Sequence, residues 1–390
     1  MSAKYIITVL CLATLMVACK PENGNADMVF DTSFKGARLS KVENIGEKKY
    51  VGYVHPESEP VNKSPWFAFA VTSKVKKNIE LRLEYGTHKH RYIPKLSTDK
   101  VHWKPMELNK IKVDTTLGTA TLLLEVSPKK LYVAAQEIET SVDTYGWMKK
   151  YVDGDYGVNL KVAGKTALNN ANYVLEHEKK DVEDFIVLVA RQHPPEIPGG
   201  TIGFKSFYET VFSSSETAKK FREKFNIYTF PLLNPDGADK GNWRHNANGV
   251  DLNRDWIDFT QPETKMVRQF VADKVEQGGK IRFALDFHTS YSGPYMLVLD
   301  SINETKTSGV IPKWIETIES TSSFKVEARQ RSQELPYCYN YFFNTYVAEA
   351  VTYEEGDEIN RDTIRKRASV YAEKLMQTLL EKQKNNAFTK

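Results

Sequence analysis

Hydrophobic positions along the chain change their spacing near residue 139. Before that point, short apolar runs at 66–71, 79–85, 119–126 and 131–135 are separated by Lys, Ser, Thr and Gly connectors. The run at 79–85 alternates apolar with polar positions, as a half-buried strand does, and no long helical period intervenes. This pattern predicts a small all-β sandwich over residues 31–138. After it, apolar runs at 184–190, 227–233, 281–287 and 348–353 alternate with helical segments near 203–212, 215–225, 262–277, 308–320 and 362–382. The last segment sets Ala368, Val370, Tyr371, Leu375, Leu379 and Leu380 on one face and Lys, Arg and Glu on the other. Residues 139–385 therefore read as an α/β domain. Residues 164–178 fit a helix or a hairpin by pattern.

The N-terminus adds a targeting segment. Lys4 precedes an apolar stretch over residues 5–18, too short to cross a bilayer as a helix, and the chain turns polar after Cys19. This resembles the lipobox of bacterial lipoproteins, with Met16 where Leu is usual. The resemblance implies a signal peptide over 1–18, acylation of Cys19, and a polar tether over 19–30. It places the protein in the bacterial cell envelope, lipid-anchored and facing the periplasm or the surface. The alternative is an ordinary cleaved signal, for which no small-x-small site fits better. Cys11 would leave with the leader and Cys19 would carry lipid, so Cys338 has no disulfide partner and the protein depends on its core. A 41% share of hydrophobic residues is enough to build one. The net charge of +4, from 54 basic and 50 acidic residues, is too small to imply nucleic acid or an acidic membrane surface as partner.

Candidate chemistry gathers where the four apolar runs of the α/β domain end. The first runs into Arg191-Gln-His-Pro-Pro-Glu196, whose two prolines oppose a helix and make a stiff turn. His193 and Glu196 offer an imidazole nitrogen and a carboxylate oxygen, two ligand types of a catalytic zinc, which keeps a fourth position for water. By itself His-x-x-Glu is common. The second run leads to Asn234-Pro-Asp-Gly237 and then Asp251-Leu-Asn-Arg254, the third to Asp286-Phe-His288, and the fourth to Tyr353-Glu-Glu-Gly-Asp357. Ligands of open α/β sheets bind beyond the carboxyl ends of strands, so four such endings predict one site.

In this order and spacing, residues 184–357 resemble the carboxypeptidase A-type zinc carboxypeptidases. More loosely, the N-terminal β-region, with Tyr92-Ile-Pro and Ser97-Thr-Asp before Trp103, resembles the domain preceding the cytosolic carboxypeptidase branch. The resemblance implies a mixed-sheet zinc carboxypeptidase domain and favours the hairpin over 164–178. It implies one zinc per chain held by His193, Glu196 and His288, with Asp251 accepting a hydrogen bond from His193. Arg244 would stabilise the oxyanion, Asn253 and Arg254 would grip the terminal carboxylate of a peptide substrate, and Glu354 would be the general base. His88, His90, His102 and His245 are expected to be structural, and Asn246, Asn248 and Gly249 to form turns.

Two departures stand out. Pro195 replaces an Arg of the pancreatic enzymes, and the tyrosine that caps the bound carboxylate could be Tyr337, Tyr339, Tyr341 or Tyr346. The implied activity is hydrolysis of C-terminal peptide bonds. Its rivals are a cell-wall peptide amidase on the same site and a binding lipoprotein that has lost catalysis.

Overall fold

The structure, a computed structural model, describes residues 27–58, 64–86, 88–299 and 308–388. The expected leader, with Cys11, and Cys19 lie outside them.

The N-terminal region consists of two five-stranded sheets. One is ordered β1 (Met28–Asp31), β4 (Ala68–Ser73), β10 (Leu131–Ala134), β6 (Lys95–Ser97) and β7 (Lys104–Pro105). The other is ordered β2 (Lys41–Gly46), β3 (Lys49–Tyr53), β5 (Lys77–Glu84), β9 (Thr119–Val126) and β8 (Ile111–Asp114). The four expected strands form within a residue or two of their predicted bounds, and short partners join them. Alternation in β5 buries Ile79, Leu81 and Leu83, and β9 buries Leu122 and Leu124. They share one core with Trp66, Phe67 and Phe69.

The second region is built on an eight-stranded sheet. Its centre is four parallel strands in the order β14 (Asn226–Phe230), β13 (Asp184–Ala190), β15 (Lys280–Ser290) and β18 (Glu349–Gly356). Helices cover both faces, so these strands are nearly continuous apolar runs, with β14 buried throughout. On one edge β11 (Asn159–Lys165) and β12 (Ala171–His177) pair antiparallel, which makes 164–178 part of a hairpin. On the other, β16 (Tyr295–Leu299) pairs antiparallel with β18 and carries β17 (Ala328–Arg331).

One face packs on the helices Phe204–Val211, Val310–Thr321 and Arg361–Lys384, the opposite face on Pro262–Glu276 and Cys338–Tyr346. No described helix is long and apolar enough to cross a membrane.

The two regions meet through partly buried ion pairs. Arg91 of the β-region donates to both carboxylate oxygens of Asp357 at 2.7 and 3.0 Å, just past the end of β18. Arg361 donates back to Gln136 at 2.7 Å and to Glu137 at 2.9 and 3.0 Å. Asp357, one residue beyond the strand end, thus fixes the β-region against the sheet edge where the chemistry gathers.

Candidate active site

Parallel pairing brings the carboxyl ends of the four central strands to one edge. Register then sets neighbours: His288 on β15 pairs with Glu354 on β18, which places both side chains on one face. At the end of β13 the chain turns at Arg191, which takes φ 56°, and the turn continues through Pro194 and Pro195 to Glu196. The Arg191 guanidinium fastens this turn from behind, donating to Thr201 Oγ1 at 2.7 Å and the Glu139 carbonyl at 3.0 Å. The helical segment that follows approaches β15 so closely that a Cβ on Gly199 would overlap the His288 carbonyl oxygen. Only glycine fits there.

His193, Glu196 and His288 converge, with one donor atom of each lying within 4.8 Å of the others. His193 Nε2 is 2.9 Å from Asp251 Oδ1, and His288 Nε2 is 2.9 Å from Asp286 Oδ2. A carboxylate only accepts, so each Nε2 carries a proton and donates, which turns the other ring nitrogen, Nδ1, inward. Both Nδ1 atoms face Glu196, at 2.8 Å from Oε1 and 2.7 Å from Oε2. The Thr289 N–H donates to Glu196 Oε2 at 3.1 Å and sets that carboxylate's direction.

This donor set fits zinc: two imidazole nitrogens and one carboxylate, each imidazole backed by a further carboxylate. Donors around a tetrahedral zinc stand about 3.3 Å apart, from bond lengths of ~2.0–2.1 Å, a spacing within reach of this cluster. Burial resists ionisation of Glu196, yet the two histidines hold its carboxyl well below the usual range. Asp251 is likewise buried and is held low by His193, Arg244 and Arg254.

A cleft of about 300 Å³ opens over the cluster. Glu354 lines it beside His288. Burial pushes the Glu354 carboxyl up to about 7, with His288 opposing and Glu196 adding to the shift, and its Oε2 is buried without a hydrogen-bond partner. Glu355 points the other way. It is fully buried against Arg367 at 2.5 and 2.7 Å and accepts from the Tyr353 hydroxyl.

Arg244 and Arg254 line the same cleft. Arg244 Nε donates to Asp251 Oδ2 at 2.6 Å, so one carboxylate orients both His193 and this guanidinium. Arg254 lies over the Tyr337 ring, 4.4 Å from its centroid, with 43% of its side chain exposed. Of the four candidate tyrosines only Tyr337 lines the cleft; Tyr339 is buried and the Tyr341 and Tyr346 hydroxyls meet at 3.1 Å. Asn253 also lines the cleft, but its Oδ1 accepts the Cys338 N–H at 2.9 Å and its Nδ2 rests 3.2 Å from His288 Nε2. Its amide oxygen is committed to positioning the helix Cys338–Tyr346.

Sequence reasoning passed over four contributors. Asp286 backs His288, and Gln192 donates to the same Asp286 oxygen at 2.8 Å while accepting from Trp256 Nε1 at 2.8 Å. Its signal was available: Asp-x-His on a strand puts both side chains on one face. Arg91 and Tyr92 reach the cleft from the β-region; Tyr92 opens a motif noted above, but nothing local marks either as a site residue. His245 is structural, as expected, with Glu57 as its partner at 3.2 Å.

Comparison with known proteins gives a family and a fold. Residues 145–363 match the family model described as zinc carboxypeptidase. Cytosolic carboxypeptidase 3 of Mus musculus is 22% identical over 327 residues, covering 74% of this chain and 32% of the relative, so the chain spans about a third of that protein. Among solved structures, a metallo-carboxypeptidase from Burkholderia cenocepacia superposes with TM-score 0.74 at 18% identity, over 92% of this chain and 100% of that one. A metallo-carboxypeptidase from Pseudomonas aeruginosa, in complex with (2-guanidinoethylmercapto)succinic acid, gives 0.71 at 17% identity, over 91% and 99%.

Proposed function

The chain belongs to the zinc carboxypeptidase family, and from that premise we propose an exported, lipid-anchored enzyme that removes C-terminal residues from peptides ending in a free carboxylate. It is a zinc-dependent hydrolase of peptide bonds. One observation carries the fuller reading: three converging donors, the Glu354 carboxyl and two arginines share one cleft of about 300 Å³.

His193, Glu196 and His288 would hold the zinc. When bound, the metal supplies Lewis acidity, which makes water more acidic and polarises a carbonyl oxygen. Glu354 takes the proton from the attacking water and passes it to the leaving amine; a carboxyl near 7 suits both directions of transfer. Arg244 donates to the oxyanion that develops on the carbonyl. Arg254, backed by the Tyr337 ring, receives the terminal carboxylate through its planar fork, and Tyr337 is the candidate to close over it. Asn253, whose amide oxygen already accepts the Cys338 N–H, offers its amide NH2 group beside Arg254 to the same carboxylate.

Arg254→Ala is expected to raise KM for free-terminus peptides by about ten- to a hundredfold, the scale of a lost charge-assisted contact. Steady-state kinetics on paired free and amidated peptides checks this. Equal cleavage of both by the parent enzyme would defeat the exopeptidase reading. Supporting the anchor is the apolar leader ending at Cys19. Cys19→Ala should lose incorporation of labelled fatty acid and move the protein to the soluble fraction; unchanged membrane partitioning would rule the anchor out.

A further inference from the structure

We propose that Glu57, a residue of the β-region, is a positioning residue for catalysis: its carboxylate fixes the backbone of Arg244 so that the guanidinium meets the developing oxyanion. This rests on the reading of Arg244 given above.

Arg244 sits on a loop between the helix Pro235–Lys240 and the turn Leu252–Arg254. Such a loop has no ladder to hold it, so its backbone groups need partners from elsewhere. Glu57 supplies them. Its Oε1 accepts the consecutive N–H groups of Arg244 and His245 at 2.8 and 2.9 Å, and His245 Nδ1 lies 3.2 Å away. Successive N–H groups turned toward one point form a concavity for an anion, here filled by a side chain from the other region. The Glu57 side chain is only 2% exposed and its Oε2 is buried without a partner. Burial pushes its carboxyl up, but the His245 side chain and the two N–H groups outweigh that and hold it at about 2.

The rest of the loop is seated on the same region. Trp243 Nε1 donates to the Tyr92 hydroxyl at 3.0 Å. Gly249, at φ +76°, passes so near Ser58 that a Cβ there would stand 3.0 Å from its Oγ. Arg244 is therefore fixed at two points, its backbone by Glu57 and its Nε by Asp251 at 2.6 Å. Those two anchors determine where its terminal nitrogens stand. Because an error of about 1 Å in a catalytic group can cost ~10²-fold in rate, loss of the backbone anchor should register in kcat.

The test is a double-mutant cycle on the full, zinc-loaded chain, with zinc content and thermal midpoint measured for every variant. Glu57→Ala is expected to lower kcat by about ten- to a hundredfold with KM within about twofold. Glu57→Gln keeps an acceptor oxygen in place and should recover most of that loss. In the Arg244→Ala background, Glu57→Ala should have almost no further effect on kcat, because it acts through Arg244.

A zinc-loaded, folded Glu57→Ala enzyme with parental kcat would overturn the proposal. So would a Glu57 effect that is undiminished without Arg244, since that is what a purely structural anchor gives. If Glu57→Ala does not fold, Glu57→Asp carries the same cycle. It is one methylene too short to reach both N–H groups, and parental kcat in that variant would equally overturn the proposal. Full activity in Arg244→Ala alone would fail the oxyanion reading and take this inference with it, whereas impaired Arg244→Ala beside parental Glu57 variants fails only the inference.

Discussion

His288→Ala is expected to purify without its equivalent of zinc and to trim no peptide. The ring is one of three groups whose donor atoms lie within 4.8 Å, and its Nδ1 is turned into the cluster because Nε2 donates to Asp286 at 2.9 Å. Outer partners of a ligating histidine are themselves worth about 10–100-fold in metal affinity or activity, so removal of the ligand should cost more than Asp286→Asn does. His193→Ala should behave alike, with Asp251→Asn as the milder counterpart. Metal content by mass spectrometry after exhaustive dialysis reads all four. Removing His288 also leaves the buried Asp286 without its main donor, so the thermal midpoint must show a folded chain. Full zinc occupancy in folded His288→Ala would eliminate the three-residue ligand set.

What the sequence disclosed and what it hid follow from range. The strand Asp184–Ala190 is legible because a parallel strand buried on both faces must be an unbroken apolar run. The same rule marks where β15 and β18 end, and the ligand candidates stand at those ends. The helix Cys338–Tyr346 and the strands Tyr295–Leu299 and Ala328–Arg331 were not anticipated. All are short; the helix mixes aromatic and polar residues and the strand Ala328–Arg331 is almost wholly polar, so neither fits a single period, whereas Tyr295–Leu299 is a five-residue apolar run that the reading passed over. The sequence pattern sets the Lys, Arg and Glu residues of the last helix together opposite its apolar face, yet Arg367 is buried, because Glu355 on β18 needs a counter-charge at that point of the core. Glu57 and Arg91 lie far in sequence from everything they touch: Glu57 stands 187 residues from Arg244, and Arg91 stands 266 from Asp357. Local pattern cannot report such pairs. The choice among four tyrosines was closed to the sequence for the same reason, since only the packing of Tyr337 on Arg254 separates it from its neighbours.

The neighbours Glu354 and Glu355 should give opposite phenotypes. Alternation along β18 sends them to opposite faces, and pairing with His288 turns Glu354 toward the cluster. Glu354→Gln preserves the shape and removes the basic site, so zinc should stay bound while kcat falls by roughly 10²–10⁴. Stability should change little or rise, because a carboxyl that burial lifts to about 7 is not at ease as an anion. The sign follows from that shift. A folded-state value above the unfolded one means the ionised group opposes folding once pH exceeds the unfolded value near 4.3, and the penalty reaches its full size above about 7. Glu355→Gln is the reverse case. It leaves the buried Arg367 guanidinium without the carboxylate it meets at 2.5 and 2.7 Å, a kind of loss that costs about 3–5 kcal/mol. The thermal midpoint should fall clearly, whereas kcat of the fraction that remains folded should stay within a few-fold of the parent. Kinetics corrected for folded, zinc-loaded enzyme, run beside thermal unfolding, separates the two. A dead but stable Glu355→Gln beside an active Glu354→Gln would mean that the wrong face of β18 has been assigned to the chemistry.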